Sequence, residues 1–268
     1  MHPRLADALR VGRCGPVARA LGPPAARVSR LLAYGVLGKP RKRIAEVDVE
    51  REGLRWRLDL AEDAQRLMFL GLYEQELRQR VLAEIRGVFV DVGANVGFWS
   101  VPAATRAAVV AFEPNPWAAE HLLVNAELNG LEIDLRPQAV SSRPGQLDLY
   151  ASDFEQNASQ ATLHRTAVQG SAEEISVPVV TLDEAVGDVD TLKIDVEGHE
   201  EEVLRGAERL LASRTPRVVV VELLGWRLAC AGSTPERVVS ILDDCGYAAP
   251  LRRPVPDDVF DTVVFRRS

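Results

Sequence analysis

The chain has 268 residues, of which 47% are apolar and 26% are charged, a composition that suits one large globular domain with an N-terminal extension. No apolar run approaches the roughly 20 residues of a membrane helix, and the N-terminus lacks the apolar core of a signal peptide, so we expect a cytoplasmic protein. The three cysteines, Cys14, Cys230 and Cys245, are too scattered for a disulfide framework or a CxxC metal site.

The beginning of the chain is basic. Residues 1–43 hold ten Lys or Arg and one acid, Asp7, whereas the remaining residues hold 22 Lys or Arg against 38 acids. This arm is either a solvated helix or a segment that touches an anionic surface, such as a carrier-bound or lipid-linked substrate. Aromatic residues do not interleave with the basic ones, which disfavours nucleic-acid binding. We predict a basic, largely helical extension over residues 1–53 and a folded domain over residues 54–268.

Strand-like and helix-like segments alternate from Leu54 onward. The first are a strand in LRWRLDL and a helix from Ala61 to Ile85 that is interrupted near Gly71. The next patterns predict the strand GVFVDVG, a helix from GFWSVPAATR, the strand AAVVAFEP, a helix ending at Gly130 and the strand LEIDLRPQAVS. A hairpin with a polar loop is predicted over 145–166. After it come the strands EISVPVV and TLKI, a helix from HEEEVL, the strand PRVVVVELLG, the helix TPERVVSILDDCG and the strand DVFDTVVF.

This alternation predicts an α/β fold with a doubly wound, mostly parallel sheet, because parallel neighbours need crossover connections and helices usually supply them. Ligands of such sheets bind beyond the carboxyl ends of the strands. Four acids follow apolar strand runs and are therefore expected at that edge: Asp91, Glu113, Asp195 and Glu222.

The stretch FVDVGANVGFWS places a glycine turn between a strand and a helix, where backbone amides can approach a ligand. A dinucleotide fingerprint would need glycines at Asn95 and Phe98, and it fails at both positions. Asp91 would repel a pyrophosphate but attract a sulfonium or an ammonium group. Glu113 ends the next strand, where a carboxylate can bind both hydroxyls of a ribose. Together these features predict S-adenosylmethionine as the cofactor, and the alternative is that the glycines only permit tight packing.

Four motifs, DVGANVGFWS, AFEPNP, VPVVTLDEAV and LKIDVEGHEEEVLRGAERLL, occur in an order and spacing that resemble the FkbM family of S-adenosylmethionine-dependent methyltransferases. The resemblance covers about residues 54–224. It implies the Rossmann-like class I methyltransferase fold and methylation of a hydroxyl oxygen in natural-product or surface-polysaccharide pathways. It also implies the cofactor contacts: Asp91, Gly93, Asn95 and Gly97 at the methionine part, Glu113 at the ribose, Pro114, Asn115 and Ala139 at the adenine, and Asp195 beside them.

Acidic and imidazole groups follow the buried strand TLKI directly, at Asp195, Glu197 and His199. Since a hydroxyl must lose a proton near pH 7, and histidine has a suitable pKa, we predict His199 as the general base with Asp195 beside it. The alternatives are that His199 only begins the helix and that Glu197 only holds the loop through backbone amides. Asp195 and Glu222 are also weak candidates for a divalent ion, but two acids are too few for a metal site, so we expect none.

The sequence therefore predicts a cytoplasmic O-methyltransferase whose acceptor is a natural product, a sugar or a polysaccharide. Two alternatives stay open at this point. A nicotinamide-dependent reductase is disfavoured by Asn95 and Phe98. A cofactor-binding protein without turnover in a biosynthetic complex is disfavoured by the group formed by Asp195, Glu197 and His199.

Overall fold

The computed structural model describes residues 46–71, 74–153, 160–213, 215–249 and 260–267. The chain divides into two compact units, one that ends at Ala83 and one that begins at Glu84. The basic arm predicted over residues 1–43 lies outside the described residues. None of the helices in the described ranges has the length and hydropathy of a membrane-spanning segment.

The first unit contains an antiparallel hairpin followed by helices. The hairpin consists of β1 (Val47–Arg51) and β2 (Leu54–Leu58), and the helices are α1 (Asp63–Leu70) and α2 (Gln75–Glu84). Gly71 ends α1 at φ 68°, a left-handed conformation that glycine adopts without strain, and this is the interruption that the sequence predicts. The predicted domain boundary after residue 53 falls in the turn of the hairpin, so β1 belongs to the residues assigned to the extension.

The second unit is built on a central sheet. Its strands are β3 (Phe89–Val92), β4 (Val109–Phe112), β5 (Asp134–Arg136), β9 (Thr191–Ile194), β10 (Val218–Leu224), β11 (Tyr247–Ala248) and β12 (Phe260–Arg267). Among the described residues the strand order is β11-β12-β10-β9-β3-β4-β5. Neighbours from β10 to β5 pair in parallel, whereas β12 is antiparallel to both β10 and β11. The predicted doubly wound, mostly parallel sheet is therefore confirmed.

Helices connect these strands and bury the sheet. They are α3 (Ser100–Ala104), α4 (Pro116–Glu127), α5 (Leu182–Ala185), α6 (Glu200–Arg205), α7 (Glu208–Ala212), α8 (Gly225–Cys230) and α9 (Pro235–Asp244). Side-chain caps begin α4 and α9, where Asn115 and Thr234 accept backbone N–H bonds and a proline follows each of them. Residues 218–223 of β10 are all buried, as expected for a parallel strand that is covered on both faces.

A small second sheet differs from the sequence prediction. It joins β6 (Ala139–Val140), β8 (Glu173–Val180) and β7 (Gly145–Ala151) in that order. The single strand predicted in LEIDLRPQAVS divides into β5 of the central sheet and β6 of this one, because Pro137 cannot donate a ladder hydrogen bond. After β7, Thr162 forms an isolated bridge with Tyr150, and a short 3₁₀ turn follows at Arg165–Ala167.

Candidate active site

A buried lysine joins two of the predicted acids. Asp91 of β3 and Lys193 of β9 are direct neighbours in the parallel register. The Lys193 Nζ lies 3.3 Å from Asp91 Oδ1 and 3.1 Å from Asp195 Oδ2, and it donates to the carbonyl oxygen of Gly93 at 3.0 Å. Burial alone would lower the pKa of Lys193, but the two carboxylates outweigh it and raise the pKa above its ordinary value. Lys193 is therefore a charged cation that holds two strand ends together.

Asp91 is the deepest of these acids, with no exposed surface. Its Oδ2 accepts a hydrogen bond of 2.6 Å from the Ser100 hydroxyl of α3. Burial raises the pKa of the Asp91 carboxyl, and the Lys193 ammonium and the Ser100 hydroxyl limit that rise. The carboxylate is thus fixed from two sides at the base of the glycine turn.

The glycine turn allows two strand ends to approach each other. A Cβ on Gly93, which has φ 79°, would lie 1.8 Å from the carbonyl oxygen of Asp195. Gly97 has φ 91°, and a Cβ there would lie 2.8 Å from a Val101 methyl group and 3.1 Å from Leu122. Both glycines therefore have a packing role, the alternative that the sequence left open. Their contact with a cofactor stays a prediction.

Glu113 connects the turns that follow β3 and β4. Its Oε2 accepts the Asn95 N–H at 2.7 Å, and its Oε1 accepts the Asn115 N–H at 2.9 Å. Burial raises the pKa of Glu113 to about 7, although both backbone bonds favour the charged form. Asn95 has φ 49° and accepts the Val96 N–H with its own side chain, an arrangement that asparagine tolerates well. Each Glu113 oxygen keeps a second lone pair with which it can accept a hydroxyl hydrogen.

The residues predicted at the adenine lie in two places. Pro114 and Asn115 follow Glu113 directly, and Asn115 is buried as the cap of α4. Ala139 is buried in β6 of the small sheet, and Ser141 comes just after it. Pro114 and Asn115 therefore follow β4, whereas Ala139 lies in β6. The contact of these residues with adenine stays a prediction.

His199 lies in a chain of polar side chains. Its Nε2 is 2.9 Å from the Ser141 hydroxyl, and its Nδ1 is 3.0 Å from Nε2 of His164. Because His199 is buried and neighbours a second imidazole, its pKa is lowered to about 3. Burial also lowers the pKa of His164, whereas Glu202 raises it. Both ring nitrogens of the predicted base are thus engaged, and the ring is neutral at pH 7.

The other two predicted catalytic residues lie with Glu222. Carboxylate oxygens of Asp195, Glu197 and Glu222 all lie within 4.8 Å of one another, a spacing that would also suit a metal ion. Glu197 pairs with the buried Arg227 of α8, at 3.1 Å between Oε2 and Nε, and its backbone has φ 55°. The third acid, Glu197, was not among the metal candidates that the sequence suggested.

The charge of this edge suits a cationic ligand. Carboxyl groups outnumber cations among the described residues of this edge, where Asp91, Glu113, Asp195, Glu197, Glu200 and Glu222 lie with Lys193 and Arg227. A sulfonium and an ammonium group would reduce this excess of negative charge. Glu113 also offers acceptors for a ribose diol. The residues present therefore fit S-adenosylmethionine.

Three residues of the site were missed from the sequence: Ser100, Lys193 and Arg227. Lys193 carried a readable signal, because a lysine inside an otherwise apolar, buried strand needs a partner of opposite charge. Arg227 lies five residues after Glu222, in α8, a helix that the sequence pattern did not predict. From the sequence His164 is expected only as a loop residue near the substrate, and the structure joins it to His199.

Comparisons with known proteins agree with one another. Residues 91–249 match the sequence model of the methyltransferase FkbM domain. The hexuronic acid methyltransferase AglP of Haloferax volcanii is 32% identical over 202 residues, which cover 72% of this chain and 77% of that protein.

Two solved structures are also similar. They are a tRNA (uracil-54, C5)-methyltransferase from Pyrococcus abyssi in complex with S-adenosyl-L-homocysteine, with 15% identity and a TM-score of 0.49, and an FkbM methyltransferase from Methylobacillus flagellatus, with 16% identity and a TM-score of 0.44. The matches cover 83% and 76% of this chain, but only 44% and 54% of those chains, so this chain spans about half their length.

Proposed function

Because the chain belongs to the FkbM family and is an S-adenosylmethionine-dependent methyltransferase, we propose that it methylates a hydroxyl oxygen of a sugar. The sugar is supported by the relative that acts on hexuronic acid. Family membership argues against both a reductase and a protein without turnover. A carrier-linked or lipid-linked acceptor, and contact of the basic arm with it, stay predictions.

The main support for a hydroxyl as the methyl acceptor is the group of carboxylates formed by Asp195, Glu197 and Glu222 at the strand ends. Carboxylates accept hydrogen bonds from sugar hydroxyls, but they repel the carboxylate of a uronic acid. The two cations at this edge, Lys193 and Arg227, are already paired with acids. A neutral hydroxyl is therefore the better acceptor here than an ionised carboxyl group.

When bound, S-adenosylmethionine supplies an electrophilic methyl group on a sulfonium that leaves readily. Asp91 and the turn from Gly93 to Gly97 would hold its methionine part, and Glu113 would hold its ribose. Lys193 fixes the positions of Asp91 and Asp195 relative to Gly93. The main contribution of these residues is alignment, because an in-line displacement depends strongly on the position of the reacting atoms.

We propose that Asp195 accepts the proton that the acceptor hydroxyl loses. Its side chain is 18% exposed, and Lys193 pairs with Oδ2, which leaves Oδ1 to accept the hydroxyl hydrogen. His199 is 6% exposed and has both ring nitrogens engaged by Ser141 and His164. Its role as the general base, inferred from the sequence, stays a prediction, and its alternative role is to hold the turn that begins α6.

The test is a transfer assay with methyl β-D-glucopyranoside and methyl β-D-glucuronide, in which formation of S-adenosylhomocysteine is followed. We expect a methyl ether, which survives mild alkali, on methyl β-D-glucopyranoside, and slower formation of an ether on the glucuronide, because the acids of the site repel its carboxylate. A product that mild alkali destroys would be a carboxyl ester and would overturn the hydroxyl assignment. Absence of turnover across a panel of neutral and acidic sugars would overturn the sugar assignment.

A further inference from the structure

An exposed tryptophan lies directly beyond the strand ends of the site. Trp226 is the second residue of α8, which begins where β10 ends, and it is 40% exposed. The buried tryptophans Trp56 and Trp99 are only 3% and 2% exposed. The carboxyl end of β10 also carries Glu222. A single exposed apolar side chain is ordinary on a protein surface, so the feature that points to a ligand is the position of Trp226 just beyond the strand that carries Glu222.

The ring of Trp226 is held by its neighbour. The guanidinium of Arg227 lies over the indole, 4.4 Å from the ring centroid, within the range of a cation–π contact. Arg227 is itself buried and paired with Glu197 at 3.1 Å, so its position is fixed. The guanidinium packs against the indole, while 40% of the Trp226 surface stays exposed to a ligand. The ring is thus oriented before any ligand arrives.

A short series of contacts connects this ring to the acids. Trp226 contacts Arg227, Arg227 pairs with Glu197, and a Glu197 oxygen lies within 4.8 Å of oxygens of Asp195 and Glu222. A flat apolar surface therefore adjoins a group of hydrogen-bond acceptors. The other large exposed apolar side chains of the described residues, Leu123 on α4 and Leu147 on β7, have no such neighbours in these contacts.

We propose that Trp226 is the platform on which the pyranose ring of the acceptor stacks, an inference that rests on the proposed function. A pyranose has an apolar C–H face, which fits an aromatic ring, and a rim of hydroxyl donors, which fits carboxylate acceptors. A rigid aromatic ring binds such a face with little loss of conformational entropy. Trp226 thereby selects a cyclic sugar and directs its hydroxyls toward Asp195 and Glu222.

The test compares Trp226→Ala and Trp226→Phe with Leu123→Ala as a matched exposed control. For methyl β-D-glucopyranoside we expect Trp226→Ala to raise KM roughly tenfold with little change in kcat, which corresponds to loss of one aromatic contact. The phenylalanine variant and the control should stay near the wild-type KM. Calorimetry should give the same affinity for S-adenosylmethionine in all four proteins.

Tryptophan fluorescence gives a second measurement that does not need turnover. Saturating methyl β-D-glucopyranoside should change the emission of the wild type but not that of Trp226→Phe, and linear sorbitol should change neither. An unchanged sugar KM in Trp226→Ala, or a loss of S-adenosylmethionine affinity instead, would overturn the platform. If no sugar is methylated but the fluorescence change depends on Trp226, the proposed function fails and the platform stands. Absence of any fluorescence response to the sugar would overturn the platform.

Discussion

Replacement of Lys193 by methionine tests the central ion pair. The substitution keeps an apolar stem of similar length but removes the ammonium that faces Asp91 and Asp195. The Lys193 side chain is 5% exposed and that of Asp91 is fully buried. Removing one partner of a buried pair costs about 3–5 kcal/mol, because the other charge stays buried and unpaired. We expect a loss of this size in the free energy of unfolding at pH 8.

The loss should depend on pH in a defined direction. Without Lys193 the folded-state pKa of Asp91 rises further above its unfolded value of about 3.9. An acid whose pKa is raised on folding contributes stability below its unfolded pKa, and that contribution is lost as the pH rises through the folded pKa. The difference between the variant and the wild type should therefore be smaller at pH 5 than at pH 8.

Urea unfolding followed by circular dichroism at both pH values measures this difference. The matched control is the double variant Lys193→Met with Asp91→Asn, which removes the unpaired charge and keeps an oxygen for the Ser100 hydroxyl. We expect it to recover most of the lost stability. A loss below about 1 kcal/mol at pH 8, the value of an exposed pair, or a loss that does not change with pH, would refute the reasoning.

Three further predictions concern the ligands and the chemistry. The pKa of Glu113 is about 7, and a cationic ligand lowers it, so S-adenosylmethionine should bind more tightly at pH 8 than at pH 6. Binding at pH 6 should release a proton, which calorimetry in two buffers of different ionisation enthalpy should detect in the wild type but not in Glu113→Gln. Asp195→Asn should reduce turnover by about 10²–10⁴ and His199→Ala by less, and the reverse order would make His199 the base. Turnover should survive a chelator, because Lys193 and Arg227 already pair with Asp195 and Glu197; activity restored by magnesium would contradict this.

The sequence predicted the edge of the sheet well, for a simple physical reason. Carboxyl ends of parallel strands share one edge, so acids that follow apolar runs must gather there. Asp195, Glu197 and Glu222 do lie together, and Glu113 does connect the turns after β3 and β4. The matching family then assigns the cofactor. These inferences needed only local patterns and the order of the motifs.

Contacts between distant segments could not be predicted in this way. The partners of His199 come from two loops, 58 residues away at Ser141 and 35 residues away at His164. No local periodicity indicates which loops meet after folding. The same holds for Gly93, where the need for glycine comes from a carbonyl oxygen of the turn after β9. The division between β5 and β6 was missed because Pro137 was not read as a break.

The pairing of Asp91 with Lys193 also bears on how the chain finds its correct strand alignment. In the native register these two side chains share one face of the sheet, whereas Val90 and Leu192 face the apolar core on the other. A slip of one residue would turn Lys193 into that core and leave Asp91 without a cation. The misaligned sheet is therefore penalised far more than the native one is stabilised. We expect Lys193→Met to refold more slowly than the wild type, because the wrong alignment is rejected less strongly and must be undone before the native one forms.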